Sequence, residues 1–206
     1  MTLTTIAPAT EAQGMRERIG AAAIELFAEK GFHGASVRDL AYAVGVEAAS
    51  LYYHFPSKQD VLLALFDRIL DDMLDMLRTA TVGPGTPTAR LRDVARRHVL
   101  FHIARRKEAF ISHSELRSLT PANRAHVVAK RDLYEWMLRA LLEAGVREGE
   151  FVIDDVPVAS TAILMLCSGV SDWFNGGGRL TPDVVAERYV ELVLRLVAAR
   201  GHGDAG

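Results

Sequence analysis

Residues 36–58 read SVRDLAYAVGVEAASLYYHFPSK, two short helices and the turn between them. Ser36 is a helix N-cap, with Asp39 three residues on in a capping-box arrangement. Val37, Leu40, Ala41 and Val44 recur at helical spacing and make one apolar stripe. Gly45 breaks that helix by supplying the positive φ that a sharp turn needs, and Val46 plugs the space between the two helices. The second helix runs from Glu47 to about His54, and Pro56 cannot continue it. Ser57 then starts a long helix, with Asp60 at its third position. Two short helices joined at a glycine form a helix-turn-helix pattern.

The pattern is helical on both sides of this stretch. The spacing of Ile19, Ala23, Leu26 and Phe27 predicts a first helix over Met15 to Lys30, ended by Gly31 as a left-handed C-cap. The long helix carries Val61, Leu62, Leu65, Ile69, Met73, Met76 and Leu77. Residues 81–87, TVGPGTP, are the clearest linker in the chain. Helices are predicted from Thr88 to Ala104, from Lys107 to Leu119, and from Pro121 to Glu148, the last behind a Thr120 N-cap. Two more span Val156 to Phe174 and Pro182 to Arg200. The fold class is therefore all-α with about nine helices, three in a first domain over residues 1–60 and six in a bundle over 61–206.

Composition narrows the function classes. The chain has 206 residues, 50% hydrophobic and 24% charged, ordinary globular values. A single Cys makes no intramolecular disulfide and no thiolate zinc site. The N-terminus lacks the basic and apolar regions of a secretory signal. The longest uncharged run, Val156 to Ser171, is shorter than the ~20 residues that span a bilayer. A cytoplasmic protein without a membrane partner is expected. The net charge is −2, unevenly spread: residues 88–131 hold 11 basic and 3 acidic residues, a net +8, while 132–206 hold 6 and 12, a net −6. His98, His102 and His113 lack a carboxylate or thiolate at ligand spacing, so no metal is predicted. No G-x-S-x-G, phosphate loop or metal motif is present, which argues against an enzyme.

Residues 23–32 (AIELFAEKGF), 36–41 (SVRDLA), 43–46 (AVGV) and 50–58 (SLYYHFPSK) follow one another at fixed spacing. Together they closely resemble the N-terminal DNA-binding domain of TetR-family transcriptional repressors, over residues 15–66. The resemblance implies an all-α homodimer with one helix-turn-helix per subunit and a six-helix domain for ligand binding and dimerisation. It makes the second short helix the recognition helix, bound to a palindromic operator in double-stranded DNA. The DNA-facing set is then Ser36, Val37, Arg38, Glu47, Ala48, Ala49, Ser50, Tyr52, Tyr53, His54 and Lys58. Small residues let the backbone enter the major groove, an alanine packs on a thymine methyl, and Ser50 donates to a base or a phosphate. The tips of Tyr52, Tyr53 and His54 reach phosphate oxygens. Arg38 is the arginine of the motif and the candidate for a guanine. Lys58 is the candidate phosphate contact in the first turn of the long helix. Glu47 and Ala35 depart from the Ser/Thr that the family often carries there, which removes one expected phosphate contact.

The uncharged 156–171 helix is apolar on nearly every face, so it must be buried on all sides. Val185, Tyr189, Leu192, Val193, Leu196 and Val197 of the last helix are expected to join it in a four-helix dimer interface. Candidate effector-lining residues are Phe101, His102, Phe110, His113, Leu116, Trp136, Met137, Met165 and Trp173. His113 and Arg117, four apart on one helix, are the polar pair expected to enter such a pocket. Residues 110–121 (FISHSELRSLTP) and 172–182 (DWFNGGGRLTP) loosely resemble the branch of the family that responds to acyl-CoA thioesters. Arg105 and neighbouring cations of the +8 segment would then hold coenzyme A phosphates. A solvated basic face balanced by acidic helices is the competing explanation of that charge. No cofactor is expected beyond an effector, with acyl-CoA as the candidate and a neutral apolar compound as the alternative. An effector-independent DNA-binding protein is a further alternative.

Overall fold

The structure is a computed structural model that describes residues 8–197, all helix and connecting loop. Ten α-helices follow in order: α1 (Pro8–Gly34), α2 (Val37–Val44), α3 (Ala48–His54), α4 (Lys58–Val82), α5 (Pro87–Ala104), α6 (Arg106–Ser114), α7 (Pro121–Arg147), α8 (Val156–Ser168), α9 (Val170–Trp173) and α10 (Pro182–Val197). With α8 and α9 taken as one helix interrupted at Gly169, this is the expected nine. The all-α expectation holds.

Most boundaries follow local chemistry. Ser36 caps α2, Thr86 caps α5 with Pro87 in the first turn, and Asp155 caps α8. Two predicted helices are divided. The 107–119 helix stops at Ser114, Glu115 takes φ −100° and ψ 5°, and Leu116–Ser118 forms a 3-10 turn. His113 and Arg117 therefore do not share a helical face. The 156–174 helix breaks at Gly169, beyond which Asp172 N–H bonds to the Gly169 carbonyl at 3.2 Å. Gly31 has the expected positive φ of 71°, but ψ is 165°, so it bends α1 and does not cap it.

The chain packs as two compact units. The first takes residues 1–69 and 110–127, and the second takes 70–109 and 128–206, each described only as far as the described residues reach. Ile19, Phe27, Leu40, Leu51, Leu62, Phe66 and Ile111 fill the first core. Leu77, Leu91, Val99, Leu138, Leu142, Ile163, Val190 and Val193 fill the second. After α7 the chain folds back, and the Phe151 ring seats against Gly145. A Cβ there would lie 2.0 Å from that ring, so only glycine fits. Val156–Trp173 is apolar and long enough by composition to cross a membrane, with mean hydropathy 1.3. Here its Ala159, Ile163, Cys167 and Val170 are buried in the second core.

Candidate nucleic-acid interface and effector core

The helix-turn-helix is held by side chains that close its helix ends. Asp39 N–H donates to Ser36 Oγ at 3.1 Å, and the Asp39 carboxylate accepts from Ser36 N–H at 2.8 Å and from the Ser36 hydroxyl at 2.7 Å. These bonds to Ser36 hold the Asp39 carboxyl below its usual range. Gly45 closes α2 at φ 76° and ψ 37°, and nothing lies within 4 Å of an added Cβ. The glycine is thus required by backbone conformation alone. Arg18 donates to the Val44 carbonyl at 2.7 Å and Arg16 to the His54 carbonyl at 2.6 Å. Two arginines of α1 thereby satisfy the last carbonyls of α2 and α3.

Leu51 and Phe55 are buried, so α3 turns Ala49, Ser50, Tyr52 and Tyr53 outward. Tyr53 is 84% exposed. Val37, Ala48 and His54 are half-buried. Glu47 stands at the N-cap of α3, exposed and making no capping bond. Arg38 is exposed, with no hydrogen bond or ion pair to the described residues. Tyr42, absent from the sequence expectation, is 90% exposed and lies one turn from Arg38 on α2, away from the buried Leu40, Ala41 and Val44. The helical period that placed the stripe was the signal for it.

Two expected DNA contacts have other employment. The Ser36 hydroxyl lies inside its capping box. Lys58 Nζ donates to the carbonyls of Phe32 and Ala35, each at 2.7 Å, and sits 4.2 Å from the centre of the Phe32 ring. Burial lowers the Lys58 pKa, and the Glu115 charge opposes that shift. The ammonium fastens the stretch that leads into α2.

Eleven effector-lining residues are expected from the sequence. Phe110, His113, Leu116 and Arg117 belong to the first unit, and the other seven to the second. Phe110, His113, Arg117, Trp136, Met165 and Trp173 are exposed, and Phe101, Leu116 and Met137 are half-buried. His102 alone among them is buried. Its ring stacks on His98 with centroids 4.4 Å apart. His98 also meets the Tyr134 hydroxyl at 2.8 Å and Ser168 Oγ at 3.1 Å. Burial, with a smaller effect of the neighbouring Cys167, raises the Tyr134 pKa far above the ordinary phenol value. This polar cluster inside an apolar core was not expected from sequence, because Tyr134 and Ser168 lie far apart in the chain.

The cations of the +8 segment are largely matched. Arg105 pairs with Asp72 and covers the Phe101 ring at 4.6 Å, and Arg106 donates to the Ser171 carbonyl at 3.0 Å. Arg96 holds Asp183 and Glu187, and Lys130 holds Asp71. On α8, Val158 and Met165 are 64% and 72% exposed, and with Pro157, Thr161, Ala162 and Arg139 they line an open groove. On α10, Leu192 and Leu196 face outward while Val185, Val193 and Val197 lie in the core.

Residues 19–65 match the tetR family of bacterial regulatory proteins, and residues 84–197 match the tetracyclin repressor-like C-terminal domain. The chain belongs to the TetR family. The TetR-family chain is 30% identical over 187 residues to the HTH-type transcriptional repressor KstR2 of Rhodococcus jostii, covering 88% of this chain and 90% of that protein. The structure of the ketosteroid transcriptional regulator KstR2 of Mycobacterium tuberculosis superposes with a TM-score of 0.81 at 25% identity, covering 90% of this chain and 95% of that one. AibR, solved with isovaleryl coenzyme A and operator DNA, superposes with a TM-score of 0.79 at 26% identity, covering 86% and 97%. This TetR-family protein is a DNA-binding transcriptional repressor and not an enzyme.

Proposed function

We propose that the protein is a homodimeric repressor that binds a palindromic operator in the cytoplasm and is released by a coenzyme A thioester with an apolar acyl group. The observation that supports a thioester ligand is the likeness to AibR, solved in complex with isovaleryl coenzyme A and operator DNA; it speaks for the ligand class alone, and release is what the titration below tests. The recognition surface is the outward face of α3, namely Glu47, Ala48, Ala49, Ser50, Tyr52, Tyr53 and His54, with Arg38 and Tyr42 on α2. Two such helices in successive major grooves stand about 34–36 Å apart in a dimer. The exposed Val158 and Met165 on α8 and Leu192 and Leu196 on α10 support a second copy as the cover, since large apolar side chains clustered in water mark an interface. Arg105 and Arg106 serve as phosphate partners only by exchanging Asp72 and the Ser171 carbonyl for phosphate oxygens.

KstR2 supports a second reading, a neutral polycyclic effector of the ketosteroid kind. Titration of a labelled operator complex separates the two. The expected result is release by isovaleryl coenzyme A, with little effect of isovalerate or coenzyme A alone. Equal release by isovalerate overturns the thioester reading, and release by a ketosteroid alone supports the second.

A further inference from the structure

Inside the first unit, residues 115–120 lie beside the backbone that enters the helix-turn-helix. Three side chains fix that placement. The Glu115 carboxylate accepts from Phe32 N–H at 3.1 Å. Lys58 Nζ donates to the Phe32 and Ala35 carbonyls, and Ala35 precedes Ser36, the N-cap of α2. Gln59, next to Lys58, donates from Nε2 to the Ser118 carbonyl at 2.6 Å and accepts at Oε1 from Thr120 N–H at 3.2 Å. Residues 32–36 and 115–120 are therefore neighbours at the start of α4.

Arg117 stands in the middle of this connector. It is exposed and makes no hydrogen bond or ion pair to the described residues. Other cations have partners. In the +8 segment, Arg96, Arg97, Arg105 and Lys130 are matched by carboxylates. In the first unit, Arg16, Arg18 and Lys58 are taken by backbone carbonyls. The two carboxylates nearest the connector are occupied as well. Asp39 accepts from Ser36, and Glu115 accepts from Phe32 N–H and the Ser118 hydroxyl. Lys30, exposed at the end of α1, lies close enough to Asp39 for their charges to interact. Exposed positive charge at Lys30, Arg38 and Arg117 thus collects about the start of α2.

A helix-turn-helix lays its second helix in the major groove while its first helix crosses the phosphate backbone. A cation held beside the start of α2 is therefore held beside phosphates when operator is bound. The guanidinium offers a planar fork of donors that suits phosphate oxygens. A connector already tied by Glu115 and Gln59 loses little freedom in using it. We propose that Arg117 is an operator contact supplied from outside the helix-turn-helix, one guanidinium per subunit on a backbone phosphate. It adds affinity and register without reading a base. The proposal uses the DNA-binding reading and is independent of the effector.

The experiment scans the operator backbone. A duplex selected from a random pool by the wild-type chain is remade with one neutral methylphosphonate linkage at a time. Fluorescence anisotropy then reads the binding of each duplex to wild type, Arg117→Ala, Arg117→Lys and Arg68→Ala. Arg68 is the control, exposed and equally without a hydrogen bond or ion pair to the described residues. It stands ten residues along α4 from Lys58, about 15 Å by helical rise. In the wild type, neutralising the phosphate that Arg117 holds is expected to weaken binding about fivefold, the upper end for an exposed ion pair. Arg117→Ala should bind the unmodified operator more weakly and lose its sensitivity at that linkage while keeping it at others. Arg117→Lys retains part of that sensitivity, and Arg68→Ala keeps the wild-type scan. The log–log salt slope of Arg117→Ala should be shallower than that of the wild type by about 1.8, the sum for two phosphates in a dimer. A scan of Arg117→Ala identical to that of the wild type overturns the proposal. So does an equal loss of salt dependence in Arg68→Ala, which marks a general field in place of a contact. Lost sensitivity at every linkage together with a lowered melting temperature marks Arg117 as a structural support and also overturns it. One Arg117-dependent linkage per duplex, in place of a symmetric pair, removes the palindromic reading and leaves the contact standing.

Discussion

Lys58 and Arg38 carry the same charge within one small domain and have opposite roles. Lys58 has two carbonyl partners, whereas Arg38 makes no hydrogen bond or ion pair to the described residues. Lys58→Met is expected to lower the stability of the first unit by about 2 kcal/mol, the scale of losing charge-assisted hydrogen bonds partly replaced by water. Arg38→Ala is expected to leave thermal unfolding unchanged and to weaken operator binding by about 1–3 kcal/mol. Melting curves and operator anisotropy on both variants check the pair. Asp39 supplies a pH test. Its carboxyl pKa is lowered in the fold by Ser36, so the associated stability is present above the ordinary carboxylate range and is lost as pH falls through the folded value. Ser36→Ala should therefore be less stable than wild type at neutral pH, and the gap should narrow in strong acid to what the lost Ser36 Oγ cap on Asp39 N–H leaves.

At the scale of elements, burial divides one helix into two outcomes. Leu192 is 46% exposed and Val193 fully buried, although they are neighbours on α10. Leu192→Asp is expected to give a folded monomer. Val193→Asp puts a charge in the core and is expected to unfold the second unit. Light scattering with circular dichroism distinguishes the two outcomes, and a dimeric Leu192→Asp places the interface elsewhere. Sequence grouped both residues in one interface because periodicity gives the apolar face but not what covers each part of it. The same limit governs the helix ends. The Ser36–Asp39 box and the Gly45 turn were legible because every participant is local. The stop at Ser114 was not, since the Glu115 carboxylate that follows it bonds to Phe32, 83 residues away. Leu116 and Leu119 kept the apolar period running past a real break.

At the scale of the whole molecule, charge read along the chain differs from charge read in space. The +8 segment suggested an open grip for phosphates, but Asp71, Asp72, Asp183 and Glu187 are folded against its cations. A linear division at residue 60 likewise cannot express a unit that takes back residues 110–127. In the first unit, Arg16, Arg18 and Lys58 are engaged with backbone carbonyls. The log–log salt dependence of operator binding by the dimer should then be shallow, about −4, corresponding to some four neutralised phosphates. Fluorescence titrations across a salt series measure it, and a slope near −10 would sink the argument. The lone Cys167 is buried in the second core, and burial pushes its pKa up to about 12. A thiol so placed reacts with an aromatic disulfide reagent only when the surrounding helices part. Its modification rate in the wild-type chain is therefore a built-in clock for core opening, and any small molecule that settles among those helices should slow it.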